Sequence, residues 1–459
     1  MQDDNTENNI DQIPEKFRKL INGNPAKRIV LFSLPFFAGD LVHVIYTLID
    51  AFVIGRWLGL NALAAIGAGM SLIWFVYGFC FGLTDGFAVI TAQRVGKGDE
   101  NGVRRSVAAG MTLSLLTAIL LTCILLPLIR VLLSLMMIPS EIANDSYNYI
   151  FITYSGISFV IFSNMLLGII RSGGNSFVPM VFTFLGTACK VIFIFLLVAV
   201  FPFGIMGAAF ATVFADLTVT LLCIIYIIKK YPAFIPGKKD WIPDFSEYKT
   251  HLSLGLSMAF MRTIIETGNL ILQSTVNSLG AVTIAAVAAA QRVRGLCIIP
   301  FFSMSRAMTI FSAQNYGAGR LDRVYKGLFQ ICLICLGLGI FIAILNQMSA
   351  EIIVSLFLPD SLEAIAMASQ YILISGSLVV ILGIMISFRS TLQGLGMKTA
   401  PVLCGIIESI ICIFTALILI PDIGFMGVIL AHPLAWLVSG IPLYAAFAVY
   451  KKKRDENKM

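Results

Sequence analysis

The sequence predicts an all-α polytopic membrane protein: twelve transmembrane helices arranged as two parallel six-helix repeats around a central cavity, with both termini cytoplasmic. Three observations predict it. Only 12% of the 459 residues are charged while 58% are hydrophobic, about half the charge a soluble domain carries. The charges fall between long apolar runs, each long enough for the roughly 20 residues a span needs. The chain also repeats itself at an offset of 220–222 residues.

The apolar runs are 29–54, 62–91, 106–133, 147–170, 177–201, 205–228, 252–279, 282–312, 327–348, 366–392, 399–421 and 424–449. They are too long and too continuously apolar for the strands of a membrane barrel. The polar start, residues 1–28, does not read as a secretory leader, and Ile13–Ile21 has the spacing of a short interfacial helix, the alternative being a disordered tail. Lys and Arg in the connections decide orientation. Twenty-four lie in the connections of one parity, and two, Arg56 and Arg130, in the other. The positive-inside rule places both termini in the cytoplasm, and explains the net charge of +7 without a nucleic-acid partner. The nine cysteines all sit within apolar runs. Cys332 and Cys335 have redox spacing but lie mid-span, which reads as helix packing.

Four matches in order carry the repeat. Ala92-Gln93-Arg94-Val95-Gly96-Lys97-Gly98 pairs with Ala313-Gln314-Asn315-Tyr316-Gly317-Ala318-Gly319. Leu58-Gly59 pairs with Leu279-Gly280, and Gly204-Ile205-Met206-Gly207 with Gly424-Phe425-Met426-Gly427. Arg171-Ser172-Gly173-Gly174 falls opposite Gln393-Gly394-Leu395-Gly396. Six spans per copy give both copies the same orientation, as in carriers whose lobes rock about a shared cavity. The expected organisation is a tail (1–28), an N-lobe (29–228), a linker (229–251), a C-lobe (252–450) and a basic tail (451–459).

Ionisable groups inside spans are costly and are functional candidates by default. In the first run Asp40, His43, Thr47 and Asp50 fall within an arc of roughly 80° at 100° per residue. In its repeat counterpart Arg262, Glu266, Asn269, Gln273 and Asn277 do the same. Lys190, Asp216 and Glu408 lie near mid-span, Asp85 nearer an inner end, and Gln291, Arg292, Arg294 and Arg306 along the 282–312 run. The alternative reading is mutual neutralisation: Arg262 with Glu266 at i,i+4, and Lys190 with Asp40, Asp50 or Asp216. Asp40, His43, Asp50, Lys190 and Asp216 are the candidates for cation coupling; the others, with Thr47, are candidates for a substrate cavity. Pro35 is a candidate hinge beside the first stripe, the alternative being a proline tolerated near the cytoplasmic helix end. No P-loop pattern is present and the three histidines have no metal-ligand spacing, so neither direct ATP drive, an enzyme, a metal site nor a cofactor is expected.

These segments resemble the multidrug and toxic compound extrusion (MATE) family. The likeness rests on Ser33-Leu34-Pro35, on Leu48-Ile49-Asp50 leading to Ile54-Gly55, on the two Ala-Gln-x-x-Gly-x-Gly loops, on Leu392-Gln393-Gly394-Leu395-Gly396 and on Pro433-Leu434-Ala435-Trp436. The resemblance implies H⁺- or Na⁺-coupled efflux of drugs or metabolites through the cell membrane, by a monomer alternating between inward and outward access. It also implies a cation-coupling role for Asp50. Two features depart from the family's pattern. Lys190 and Ile194 stand where many relatives have Asn and Asp, which disfavours Na⁺. The other intramembrane charges point to a polar, zwitterionic or anionic substrate. An alternative within the same superfamily is a lipid-linked glycan flippase, which would use the cationic set Lys190, Arg262, Arg292, Arg294 and Arg306.

Overall fold

A computed structural model describes residues 19–136, 138–242, 244–358 and 361–456. Most of the helix expected over Ile13–Ile21 lies outside these residues, as do parts of both tails. Among the described residues the fold is helical throughout. Fourteen elements follow in order: α1 Pro25–Trp57, α2 Gly59–Lys97, α3 Glu100–Leu135, α4 Ser140–Ser155, α5 Ile157–Ser172, α6 Phe177–Val200, α7 Gly204–Lys230, α8 Phe245–Asn277, α9 Ala281–Gly317, α10 Leu321–Ser355, α11 Leu362–Gly376, α12 Val379–Gly394, α13 Thr399–Ile423 and α14 Phe425–Glu456.

Helix covers each of the twelve apolar runs, but two of the runs are broken. The 147–170 run is carried by α4 and α5, bent by 46°, and the 366–392 run by α11 and α12, bent by 42°. Among the described residues, nine helices are singly long and apolar enough to cross a membrane, or eleven if each bent pair counts as one. The 252–279 run, in α8, is not among them because the polar stripe from Arg262 to Asn277 lowers its hydropathy. Large apolar side chains such as Leu60, Phe329, Met348 and Leu362 remain exposed, as lipid-facing surfaces require.

The chain divides into two compact units. The first contains residues 34–259, the second residues 20–33 and 260–456. Their local geometry repeats. In the first unit α2 packs on α5, α2 on α4 and α6 on α7; in the second, α9 packs on α12, α9 on α11 and α13 on α14. Left-handed glycines mark the same joints in each: Gly59 and Gly280, Gly98 and Gly319, Gly174 and Gly396, Gly204 and Gly424. Gly98 shows the reason. At φ +74° it closes α2 by donating its N–H to the last carbonyls, a conformation glycine adopts without the Cβ penalty. Both units also carry a widened π-type stretch at the same joint, Phe195–Val200 and Thr415–Leu419.

Helix α8 begins inside the stretch read from sequence as linker. Asp244 Oδ1 accepts from Ser246 N at 2.9 Å and caps it. Its polar first turns look like loop, yet Glu247 and His251 are buried. Arg94 Nη2 lies 2.7 Å from Glu247 Oε2. Ser106 Oγ lies 2.9 Å from His251 Nε2, while Nδ1 of that ring is 2.9 Å from Glu247 O. Deeper in, α8 and α2 meet backbone to backbone: a Cβ on Gly86 would stand 2.5 Å from Gly255 Cα.

Candidate functional site

Two polar clusters stand out, one in each unit. The first is built on α1, where Tyr46 and Asp50 are one turn apart and therefore share a face. Tyr46 Oη donates to Asp50 Oδ2 at 3.3 Å. From α6, Lys190 donates to Tyr46 Oη, lies 4.4 Å from the centre of that ring, and approaches Asp50 Oδ2 to 3.9 Å. Asp50 Oδ1 is buried and accepts no hydrogen bond among the described residues. Asp216 on α7 interacts electrostatically with Lys190, and His43 with both Lys190 and Asp40. The His43 ring packs on Tyr46 at 5.7 Å and on Trp74 at 6.1 Å.

The five residues singled out from sequence for cation coupling, Asp40, His43, Asp50, Lys190 and Asp216, thus all lie in the first unit, where Lys190 reaches Asp50, Asp216 and His43, and His43 reaches Asp40. Of the two substrate-cavity candidates in this unit, Thr47 bonds back to Val44 O at 2.7 Å and Asp85 is 3.8 Å from Arg171 Nη1. Pro35 lies within α1, which continues as helix through it. Sequence reasoning missed Tyr46, although its position on the helical wheel, about 40° beyond Asp50, would have included it in a slightly wider stripe.

The second cluster surrounds a cavity of about 270 Å³ in the second unit, lined by Asn269, Gln273, Gln291, Arg294, Tyr371 and His432 with four apolar side chains. The Arg294 guanidinium carbon lies 5.8 Å from the Tyr371 ring centre and 5.9 Å from that of Trp436, on which His432 stacks at 5.8 Å. Gln273 Nε2 donates to Asn277 Oδ1 at 3.0 Å, and Asn269 Nδ2 to Glu266 Oε2 at 3.5 Å. Four of the residues expected in a substrate cavity, Asn269, Gln273, Gln291 and Arg294, therefore line one chamber. Arg262, Glu266, Asn277, Arg292, Arg306 and Glu408 are not among its lining residues. Buried Glu408 is engaged by Arg389 Nη1 at 3.4 Å, and it lies in electrostatic reach of Glu266. The aromatic residues Tyr371 and Trp436 and the ring of His432 were not anticipated.

Known proteins place this architecture. The MatE family model matches twice, over residues 35–196 and 257–418, in step with the repeat read from the sequence. The chain is 26% identical over 350 residues to the probable multidrug resistance protein YpnP of Bacillus subtilis, covering 76% of this chain and 78% of that one. It is 25% identical over 441 residues to the probable multidrug resistance protein YoeA of the same organism, covering 92% and 94%. The fold superposes with a TM-score of 0.85 on an outward-facing multidrug resistance MATE family transporter of the MOP superfamily, at 21% identity, covering 95% of this chain and 98% of that one. With the family matched across most of the chain, and with multi-pass apolar helices carrying it, this protein belongs to the MatE family of membrane transporters.

Proposed function

We propose that the chain is a twelve-span secondary antiporter of the cell membrane, with both termini cytoplasmic, that exports small organic compounds in exchange for protons. The observation that carries the coupling ion is the Asp50 carboxylate: one oxygen is held by Tyr46 and Lys190, the other is buried without a donor. A fixed ammonium 3.9 Å from the carboxylate opposes Na⁺ at the same place, because two cations would share one anion in a low dielectric. A proton has no such competitor. When Asp50 is ionised it is drawn to Lys190; when it takes a proton that attraction vanishes, and Tyr46, bonded to both, is released to repack. Loading from one side of the membrane and release to the other would link this local change to alternation of the lobes. Asp216 and His43 interact with Lys190, and Asp40 with His43, so that further acceptors lead away from the pair. The relatives' names, which speak of multidrug resistance, support small organic cargo.

The test is transport by the purified chain in proteoliposomes, with a panel of drugs and polar metabolites under separate pH and Na⁺ gradients. Export is expected under a pH gradient and not under a Na⁺ gradient at fixed pH. Asp50→Asn is expected to fold and bind cargo but lose gradient-driven export. Equal drive by Na⁺ refutes the proton assignment, and undiminished driven export by Asp50→Asn refutes the role of that carboxylate.

A further inference from the structure

The chamber in the second unit has a chemistry that narrows the cargo. Arg294 is permanently charged, and rings of Tyr371 and Trp436 lie near its guanidinium carbon. Rings attract a guanidinium, but they do not accept its N–H bonds as a carboxylate does. Its Nε is buried and has no acceptor, and none of the ion pairs among the described residues includes it. The residue as a whole is half-buried, and a guanidinium with a nitrogen buried in this way is ordinarily paired. The amides of Asn269, Gln273 and Gln291 line the same space and supply further donors. Leu270, Leu272, Val276 and Val428 line the same space and give it an apolar wall. The volume, about 270 Å³, lies just below the usual range for drug-sized ligands and leaves room for one substituted ring.

We infer that this chamber is a subsite for a small organic oxyanion, a carboxylate or phosphate joined to one planar apolar group, with Arg294 as the residue that selects its charge. The oxyanion takes the guanidinium N–H groups and the amide N–H groups, and the ring lies along the apolar wall. Lipophilic cations are excluded by Arg294 itself, since like charges at contact repel strongly in a low dielectric. Calling this a cargo subsite rests on the export reading above; its selectivity for anions does not.

The experiment is equilibrium binding to the purified full-length chain in nanodiscs, with no gradient present, using four probes of one shape: benzoate, phenyl phosphate, benzyl alcohol and benzylammonium. At least one of the two anions is expected to bind tenfold or more tightly than benzylammonium, and which of them leads identifies the carboxylate or the phosphate as the group recognised. Arg294→Gln is expected to weaken the preferred anion roughly tenfold to a hundredfold, the loss of one or two charge-assisted hydrogen bonds, while leaving benzyl alcohol within a factor of about two. Arg294→Lys is expected to fall between, keeping the charge but not the planar fork. Gln273→Leu, which leaves the cation in place, is expected to cost the anion a smaller factor and serves if Arg294→Gln does not fold. Benzylammonium binding as tightly as either anion, no anion binding at all, or an anion affinity unchanged in Arg294→Gln overturns the inference. Anion-selective binding without gradient-driven export leaves the subsite standing and removes the antiport reading; driven export with no charge selectivity does the reverse.

Discussion

The pair formed by Asp50 and Lys190 offers a quantitative test of the first cluster. At 3.9 Å and an effective dielectric of about 20, two unit charges attract by roughly 4 kcal/mol. Both side chains are largely buried, with 18% and 13% of their surface exposed, so solvent screening removes little of this. Desolvation of the two ions removes more. A net coupling of roughly 1–3 kcal/mol remains, the range found for residues in direct contact. Asp50→Asn leaves an ammonium buried beside Tyr46, and Lys190→Met leaves a carboxylate there. Each single change is expected to destabilise the unit, and the double change is expected to cost clearly less than the two singles added.

The chain carries its own reporters for this measurement. Cys80 and Cys223 are free and fully buried in the first unit. A thiol-reactive dye therefore registers that unit's melting once exposed Cys123, half-buried Cys189 and the cysteines of the second unit have been replaced. For a body of 150–250 residues, a change of 1 kcal/mol moves the midpoint by roughly 2–4 °C. The cycle should therefore close with a non-additivity of roughly 2–12 °C on that conversion. Strict additivity would mean that the two charges do not sense each other, and the account of Asp50 as a carboxylate held by Lys190 would fall with it.

Three further outcomes are expected. Arg389→Met strands Glu408, which is 7% exposed, and should cost roughly 3–5 kcal/mol, whereas adding Glu408→Gln should recover most of it; melting followed at Cys404 and Cys412, both buried nearby in the sequence, reports both. Arg94→Ala or Glu247→Ala should lower the midpoint by the equivalent of roughly 1–3 kcal/mol, read in the first unit's melt at Cys80 and Cys223, because the 2.7 Å pair anchors the first turn of α8. Gly86→Val should abolish folded protein on size-exclusion chromatography, since the added atoms meet the Gly255 backbone; Gly67→Ala, on the same helix with nothing within 4 Å of the added carbon, should be tolerated.

The helices were legible because each is a continuous apolar run, and such runs have one backbone solution in lipid. Their breaks were not. Nothing in the local pattern separates the bend at Gly156 from an ordinary span interior, because the bend is set by what packs there: a Cβ on Gly156 would run into the Val213 side chain. The coupling candidates were legible for the opposite reason, being charges where charge is expensive. Their partners were less so. Tyr46 was overlooked because tyrosine inside a span is common, and Tyr371 and Trp436 because aromatic rings are scattered throughout these runs. The pairs of Asp85 with Arg171 and of Glu408 with Arg389 depend on which helix faces which, and a single sequence does not carry that.

The repeat itself shows how a fold can keep a device while moving the residue that performs it. In the first unit Arg94, at the end of α2, reaches the first turn of α8 through Glu247. Gly102 on α3 is bare beneath it, and a Cβ there would stand 2.6 Å from Arg94 Nη1. In the second unit the position matching Arg94 is Asn315, and the position matching Gly102 is Arg323. The guanidinium now rises from the start of α10. It donates from Nη1 to Gly23 O at 2.7 Å, just before α1, and from Nε to Asn315 Oδ1 at 2.9 Å. The charge occupies the same corner of each unit and ties down the chain entering a long helix, but its Cα has crossed from one helix to the next. A carboxylate receives it in one copy and backbone carbonyls in the other. Backbone joints repeat because left-handed turns leave few alternatives to glycine. Polar anchors drift because several side chains can place an N–H at the same point, and this freedom let the two units acquire different charges, a carboxylate–lysine cluster in one and an arginine-lined chamber in the other.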